Sequence, residues 1–129
     1  MKYVLLLHLP AATGDPPPPP AESDMLAEFA AYKRVKDELQ AEGIWLGGQA
    51  LHPGTMTTQV RVRDDDALVV DGPLAETAEQ VAGYYLVDCR DLDEAIAVAA
   101  RIPGARTGTV EIRPVFDYEQ VLTDHESRR

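Results

Sequence analysis

The chain has 129 residues, of which 45% are apolar and 26% are charged, and its formal net charge is −10. This length predicts one domain that can bury a core without disulfides or a metal, and Cys89 as the single cysteine allows no internal disulfide. The 22 acidic residues against 12 basic ones would repel a phosphate backbone, which excludes a direct nucleic-acid reader. Neither a bilayer-spanning apolar run nor a signal-peptide pattern is present. We therefore expect a cytoplasmic protein that does not contact a membrane.

The first half of the chain predicts a strand, a loop, a helix and a second strand. Residues 3–8 form a short, almost continuous apolar run, which is typical of a strand buried on both faces. Residues 11–22 form a proline-rich loop, in which Pro16–Pro20 favours extended polyproline II and could be recognised by a proline-binding module. Apolar side chains at spacings of three and four then predict an amphipathic helix, which Ser23 caps and which ends at Gly43: Met25, Leu26, Phe29, Tyr32, Val35 and Leu39. A glycine-containing strand over residues 44–51 follows.

The second half predicts a hairpin, a strand, a helix and a last strand. Residues 57–63 and 67–70 alternate as a hairpin with one solvated face, which Asp71-Gly72-Pro73 ends. Residues 81–87 form the second continuous apolar strand, and Asp91 with Glu94 resembles a capping box that opens a helix. Residues 109–115 alternate as the last strand. In the polar tail, residues 117–129, a short helix could dock through Tyr118, Val121 and Leu122.

This order of elements predicts a ferredoxin-like α+β fold, βαββαβ with a hairpin insertion, over a single domain of residues 1–116. The strands at 3–8 and 81–87 become central, the strands at 44–51 and 109–115 lie at the edges, and both helices cover one face. The other face would carry either Val4 and Leu6 or Tyr3, Leu5 and Leu7 as an exposed apolar patch, which soluble proteins avoid. We therefore expect a homodimer in which two sheets pack face to face.

The predicted topology brings polar residues to one end of the sheet. His8 ends the first strand, His52 follows the second, Asp71 and Glu76 precede the antiparallel central strand, and Arg106 precedes the last. Histidine exchanges protons near pH 7, so we expect His8 to be a general base. Asp71 would orient the imidazole, and Arg106 would anchor a substrate carboxylate.

Each of these residues also has a structural interpretation. His8 could bond to a backbone carbonyl, and Asp71-Gly72-Pro73 is by itself a turn signal. Tyr84 and Tyr85 alternate, so we expect one of them to face the helices and the other the dimer cavity. A metal site of His8, His52 and Asp71 is a further alternative, but its ligands come from separate loops without the spacing of a helix-borne zinc motif.

Five separated blocks of this sequence carry a resemblance to a known family. They are MKYVLLL at 1–7, GGQALHP at 47–53, VVDGPLAET at 69–77, GYYL at 83–86 and ARIP at 100–103. Together they resemble YCII-related proteins of the DGPF-domain type, except that Leu74 stands where phenylalanine is usual. The resemblance implies a dimeric α+β barrel with a His–Asp pair as its active centre. One branch of the family resembles a dehydrochlorinase of chlorinated hydroxyquinols, and many members are encoded near extracytoplasmic-function sigma factors.

Two hypotheses for function follow. In the first, the protein is a lyase or isomerase without cofactor or metal, acting on a small organic acid or phenolic lactone. Its catalytic residues would be His8 and Asp71, and its substrate-binding residues would be His52, Glu76, Tyr84 and Arg106. In the second, it is a non-catalytic small-molecule-binding or regulatory dimer that acts beside a sigma factor. The charge of −10 suits docking on a basic protein surface.

Overall fold

A computed structural model describes residues 1–11, 18–74 and 79–128 of the chain. Its helices and strands are β1 (Lys2–Pro10), α1 (Glu22–Ala41), β2 (Trp45–Ala50), β3 (Thr58–Arg63), β4 (Asp66–Asp71), β5 (Glu79–Asp88), α2 (Leu92–Arg101), β6 (Thr109–Pro114) and α3 (Tyr118–Ser127). Short 3₁₀ turns at Gly54–Met56 and Pro103–Arg106 precede β3 and β6. The predicted α+β class is confirmed. Of the predicted proline-rich loop, residues 12–17 lie outside the described part.

Four strands form one antiparallel sheet in the order β2-β5-β1-β6, and β3 pairs with β4 in a separate two-stranded sheet. The two strands with continuous apolar sequence, β1 and β5, are central as predicted. Leu5 of β1 lies opposite Tyr85 of β5 and Ile112 of β6, which fixes the register of the three strands. The start of β5 and the start of β6 therefore lie at the end of β1 that carries His8.

The two faces of the sheet differ in what covers them. Tyr3, Leu5 and Leu7 are at most 5% exposed and belong to the core beneath the helices. The alternate residues Val4 and Leu6 are only half-buried, and the cross-strand partners of these two are Leu86 and Tyr84. We call the surface formed by Val4, Leu6, Tyr84 and Leu86 the open face. The sequence left two choices for this surface, and the burial of Tyr3, Leu5 and Leu7 beneath the helices selects Val4 and Leu6.

Helix α1 contributes less to the core than its periodicity predicts. Val35 and Leu39 are buried, but Leu26 and Phe29 in the first half of the helix are 57% and 60% exposed. The prediction that Ser23 caps this helix is wrong. Helical geometry begins one residue before Ser23, and the amides of Asp24 and Met25 donate to the carbonyl of Ala21, which makes no side-chain cap bond.

The predicted acidic cap of α2 is confirmed, whereas the reciprocal bond of the predicted capping box is shifted by one residue. The Asp91 carboxylate accepts from the amide of Glu94 at 2.9 Å, which satisfies a free donor of the first turn. The Glu94 carboxylate reaches back to the amide of Arg90 at 3.1 Å rather than to that of Asp91. The apolar side of α2, Ala95, Val98 and Ala99, is thereby held in the core.

The polar tail forms a helix, α3, and its apolar side chains are largely exposed. Tyr118, Val121 and Leu122 of α3 are 62%, 52% and 57% exposed, so the predicted docking is not observed. No helix in the described part of the chain has both the length and the apolar character needed to cross a membrane.

Candidate functional site

A cleft of about 530 Å³ lies at the His8 end of the sheet, and we call it the His8 cleft. Its apolar lining residues are Leu51, Pro53, Gly54, Met56, Pro73, Leu74 and Val81. Its polar lining residues are His8, His52, Thr57, Glu79 and Gln80. The structure therefore brings together both predicted histidines at the predicted rim, in a cleft with a mainly apolar wall.

His8 is placed by the end of the central strand. It follows Val4 and Leu6 in the alternation of β1 and so points to the open face, and its side chain is 25% exposed. Its Nε2 lies 3.3 Å from Oε1 of Glu111. His8 is opposite Thr109 on β6 and Glu111 is opposite Leu6, so the contact is a diagonal cross-strand pair. The carboxylate that touches His8 is thus on β6.

A second polar contact crosses the same end of the sheet. The hydroxyl of Thr109 donates to Oε1 of Glu79 at 3.3 Å. Glu79 begins β5 and is opposite Pro10, two residues beyond His8. Carboxylates from both neighbouring strands therefore flank the end of β1.

Asp71 ends β4 opposite Thr58 and does not line the His8 cleft. The residues after it form a turn: the amide of Gly72 donates to the carbonyl of Thr57 at 2.7 Å, and Gly72 has a φ of +101°. The amide side chain of Gln59 donates to the carbonyls of Gly72 and Pro73 at 2.9 and 2.8 Å. The Asp71-Gly72-Pro73 segment thus closes the base of the hairpin. The orienting role of Asp71 stays a prediction, and Glu76 lies outside the described residues.

The remaining predicted residues lie apart from the His8 cleft. Arg106 is exposed in the 3₁₀ turn before β6, and Tyr84 lies on the open face with 38% of its surface exposed. Neither residue lines the cleft, so their roles as anchor and lining hydroxyl stay predictions. Tyr85 takes the core position, where its ring meets Trp45 edge-on at 5.3 Å. Burial raises the pKa of Tyr85 to about 12, with a smaller contribution from Tyr32.

Two further groups bear on the chemistry. Cys89 is buried, and burial followed by the nearby carboxylates raises the pKa of its thiol, which disfavours the reactive thiolate. Among the residues that the structure describes, no three His, Cys, Asp or Glu side chains are grouped so that they could hold a metal ion. The alternative of a metal at His8, His52 and Asp71 therefore has no assembled donor set.

Glu111 is not among the site residues predicted from the sequence, because the last strand is predicted only as an edge of the sheet. The available signal was the alternation of residues 109–113, which puts Thr109, Glu111 and Arg113 on one face. Choosing between Glu111 and Asp71 as partner of His8 required the register of β1 with β6, which the sequence does not supply.

The chain matches the YCII-related domain over residues 1–119, which is nearly its whole length. The chain belongs to the YCII-related family. An uncharacterised protein of Rhizobium meliloti (strain 1021) is 42% identical over 71 residues, which are 54% of this chain and 57% of that protein. The chain thus spans little more than half the length of that relative. The predicted family is confirmed by these matches.

Proposed function

We propose that this YCII-related protein binds a small organic molecule in the His8 cleft and that His8 is the acid–base group of a cofactor-independent lyase or isomerase. The observation that carries the proposal is the contact of the His8 imidazole with the Glu111 carboxylate at 3.3 Å, beside a largely apolar cleft. An imidazole held by a carboxylate has a fixed ring orientation and a fixed tautomer. Such a pair is suited to proton transfer in a site that holds an apolar substrate.

The contact assigns the two ring nitrogens different tasks. An ionised carboxylate only accepts hydrogen bonds, so Nε2 carries the proton that it donates to Glu111 and Nδ1 keeps the lone pair. In an elimination, Nδ1 takes a proton from a substrate carbon and the C–H electron pair becomes the new double bond. The leaving group departs with its own electron pair, and no oxidant or reductant is consumed. In an isomerisation, the proton returns to a different substrate atom.

The lining of the cleft favours an uncharged substrate over a carboxylate. Among the described residues that line the cleft there is no Lys or Arg, and Glu79 adds negative charge. Together with a net charge of −10, this disfavours anions. A neutral molecule with an apolar body and one weakly acidic position fits best. The anchor role predicted for Arg106 would require a substrate that extends beyond the cleft.

We further propose that the protein acts as a homodimer in which two open faces pack together as an α+β barrel. Val4, Leu6 and Leu86 are only half-buried and Tyr84 is 38% exposed, so the open face leaves apolar surface in contact with water. Packing of Val4, Leu6, Tyr84 and Leu86 against the same residues of a second copy would cover apolar surface and enclose the rim that carries His8.

The experiment is a ligand-observed NMR screen of a fragment library against the wild type and single histidine variants. The proposal expects neutral, apolar fragments to bind the wild type and to lose about tenfold or more in affinity in His8→Ala, a change of about 1.4 kcal/mol. His125→Ala is the matched control, since His125 lies on α3 and does not line the cleft. Equal binding by His8→Ala and His125→Ala would contradict the proposal.

One observation favours the second candidate function, a small-molecule-binding regulatory dimer that docks on a basic protein such as a sigma factor. The Glu111 side chain is 52% exposed in the single chain, which leaves the pair of His8 and Glu111 partly solvated. A solvated histidine–carboxylate pair is a weaker catalyst because water screens its charges. Fragments that depend on His8 for binding but are never converted, in the dimer and across the pH range, would favour the regulatory dimer.

A further inference from the structure

Besides His8, three of the described side chains that line the His8 cleft can donate a hydrogen bond to a ligand: His52, Thr57 and Gln80. His52 and Thr57 are exposed, whereas Gln80 is half-buried as the second residue of β5. Strand β5 is central in the sheet, and groups on strands are held more precisely than groups on loops. Gln80 is therefore the best-placed donor in the cleft after His8.

The carboxamide of Gln80 lies against the backbone of Gly54, which also lines the cleft. A Cβ placed on Gly54 would come 2.8 Å from Cδ and 3.2 Å from Nε2 of Gln80, and closest of all to its Oε1. The side chain of Gln80 thus fills the space that a side chain at position 54 would need, and Nε2 is the end farther from Gly54. Within the described part of the chain the carboxamide has no hydrogen-bond partner, so its Nε2 protons are open to a ligand.

The proton transfer proposed for His8 requires such a donor. Imidazole is a weak base, so it takes a proton from carbon only where the electron pair left behind moves onto another atom. A carbonyl group beside the C–H bond supplies that atom, because its oxygen takes up the charge as an enolate. A hydrogen-bond donor aimed at this oxygen stabilises the enolate. Since no Lys or Arg is among the described residues that line the cleft, the carboxamide of Gln80 is suited to the task.

We propose that Gln80 is the carbonyl-binding residue of the His8 cleft and that the substrates are neutral carbonyl compounds with a hydrogen on the neighbouring carbon. The inference rests on the function proposed for His8. Nδ1 of His8 takes the proton, the C–H electron pair forms a C=C bond, and the C=O π pair moves onto oxygen, which accepts from Nε2 of Gln80. The carbonyl then re-forms and a group on the next carbon leaves with its electron pair, or the proton returns to another carbon. No oxidant or reductant is consumed.

The first test measures the affinities of acetophenone and ethylbenzene by ligand-observed NMR. These two neutral probes share an apolar body, and only acetophenone has a carbonyl group. Gln80→Glu keeps the size of the side chain but replaces its donor by an acceptor. We expect the ratio of acetophenone affinity to ethylbenzene affinity to fall about tenfold in this variant. Gln40→Glu is the matched control, because Gln40 is exposed on α1 and does not line the cleft.

Gly54→Ala tests the positioning of Gln80 while the Gln80 side chain is still present. The added methyl group would displace the flexible end of Gln80, so the fold is expected to survive. We expect the same fall in the affinity ratio, because any narrowing of the cleft affects both probes. Gly47→Ala, where a Cβ meets nothing within 4 Å, should keep the wild-type ratio. A wild-type ratio in Gly54→Ala would overturn the positioning of Gln80 by Gly54.

The last measurement follows the proton transfer itself, as deuterium uptake at the methyl group of acetophenone in D₂O. We expect the wild type to catalyse this uptake and Gln80→Glu to slow it about a hundredfold. An affinity ratio and an uptake rate unchanged in Gln80→Glu would overturn the role of Gln80. The function proposed for His8 stands in that case if His8→Ala still lowers fragment affinity, and fails with it if no fragment depends on His8.

Discussion

His8 and Glu111 are joined diagonally across β1 and β6, with 3.3 Å between Nε2 and Oε1. The contact depends on register, since His8 is opposite Thr109 and Glu111 is two residues further along β6. It gives the imidazole a carboxylate partner on rigid strands, whereas Asp71 lies at the end of a hairpin. Functional geometry held by strands is more sharply defined than geometry held by loops.

Replacing His8 should remove function without lowering the stability of the fold. His8→Ala is expected to abolish ligand binding or turnover and to leave the dimer and its Tm nearly unchanged. Its imidazole contacts an exposed carboxylate, and no described bond ties it to a buried carbonyl. Thermal melts of His8→Ala, His52→Ala and His125→Ala, measured beside fragment binding, check this. A large fall in Tm for His8→Ala with binding retained would show that His8 is structural.

The close approach of β6 to β1 at the site predicts that Gly108 is intolerant of a side chain. A Cβ at Gly108 would meet the carbonyl oxygen of His8, which as backbone cannot turn aside. Gly108→Ala is expected to destabilise the fold by about 1–3 kcal/mol and to displace Glu111 from His8. Gly47→Ala is the control, because a Cβ there meets nothing within 4 Å. Urea unfolding curves of the two variants should differ; equal curves would contradict the proposed packing.

Tyr85 makes stability fall at alkaline pH. Its pKa is raised to about 12 by burial, while a tyrosine in the unfolded chain ionises near its ordinary value of 10. Between these pH values the folded state holds a proton that the unfolded state has lost, so the free energy of unfolding decreases as pH rises. The full effect is roughly 2 kcal/mol. Denaturant unfolding of wild type and Tyr85→Phe between pH 9 and about 12 measures it. A slope that survives in Tyr85→Phe would assign the effect to another group.

The cap of α2 should contribute measurably to the free energy of unfolding. The Asp91 carboxylate accepts from the amide of Glu94, so Asp91→Ala is expected to cost about 0.5–2 kcal/mol. Asp93→Ala changes a neighbouring carboxylate that is not the capping residue and serves as the control. Chemical unfolding of the two variants should give a lower midpoint only for Asp91→Ala.

Much of the fold could be predicted because local pattern and topology agree. The apolar runs of β1 and β5 indicated central strands, and the Asp91–Glu94 spacing indicated the start of α2. The prediction of the start of α1 failed because a backbone carbonyl, and not a side chain, accepts the first amides of the helix. Ser23 has the chemistry of a cap, but α1 starts one residue earlier on the carbonyl of Ala21. Leu26 and Phe29 have helical spacing, but both side chains are largely exposed in the single chain.

The site was predictable in position but not in its pairing. The predicted strand directions alone placed His8 and His52 at the same end of the sheet, and in the structure both line the His8 cleft. The carboxylate partner depended on which residue of β6 lies diagonal to His8, and a register cannot be inferred from alternation alone. The sequence Asp71-Gly72-Pro73 predicts a turn, and this segment forms a turn in the structure.

The most direct test of the central claim is the long-range ¹H–¹⁵N NMR spectrum of the histidine rings in wild type and Glu111→Leu. We expect neutral His8 in the wild type to carry its proton on Nε2, with Nδ1 unprotonated, and Glu111→Leu to weaken this preference. His52 and His125 serve as internal references in the same spectra. A wild-type His8 with its proton on Nδ1, or ring signals unchanged by Glu111→Leu, would contradict the assignment of His8 and Glu111 as the acid–base pair.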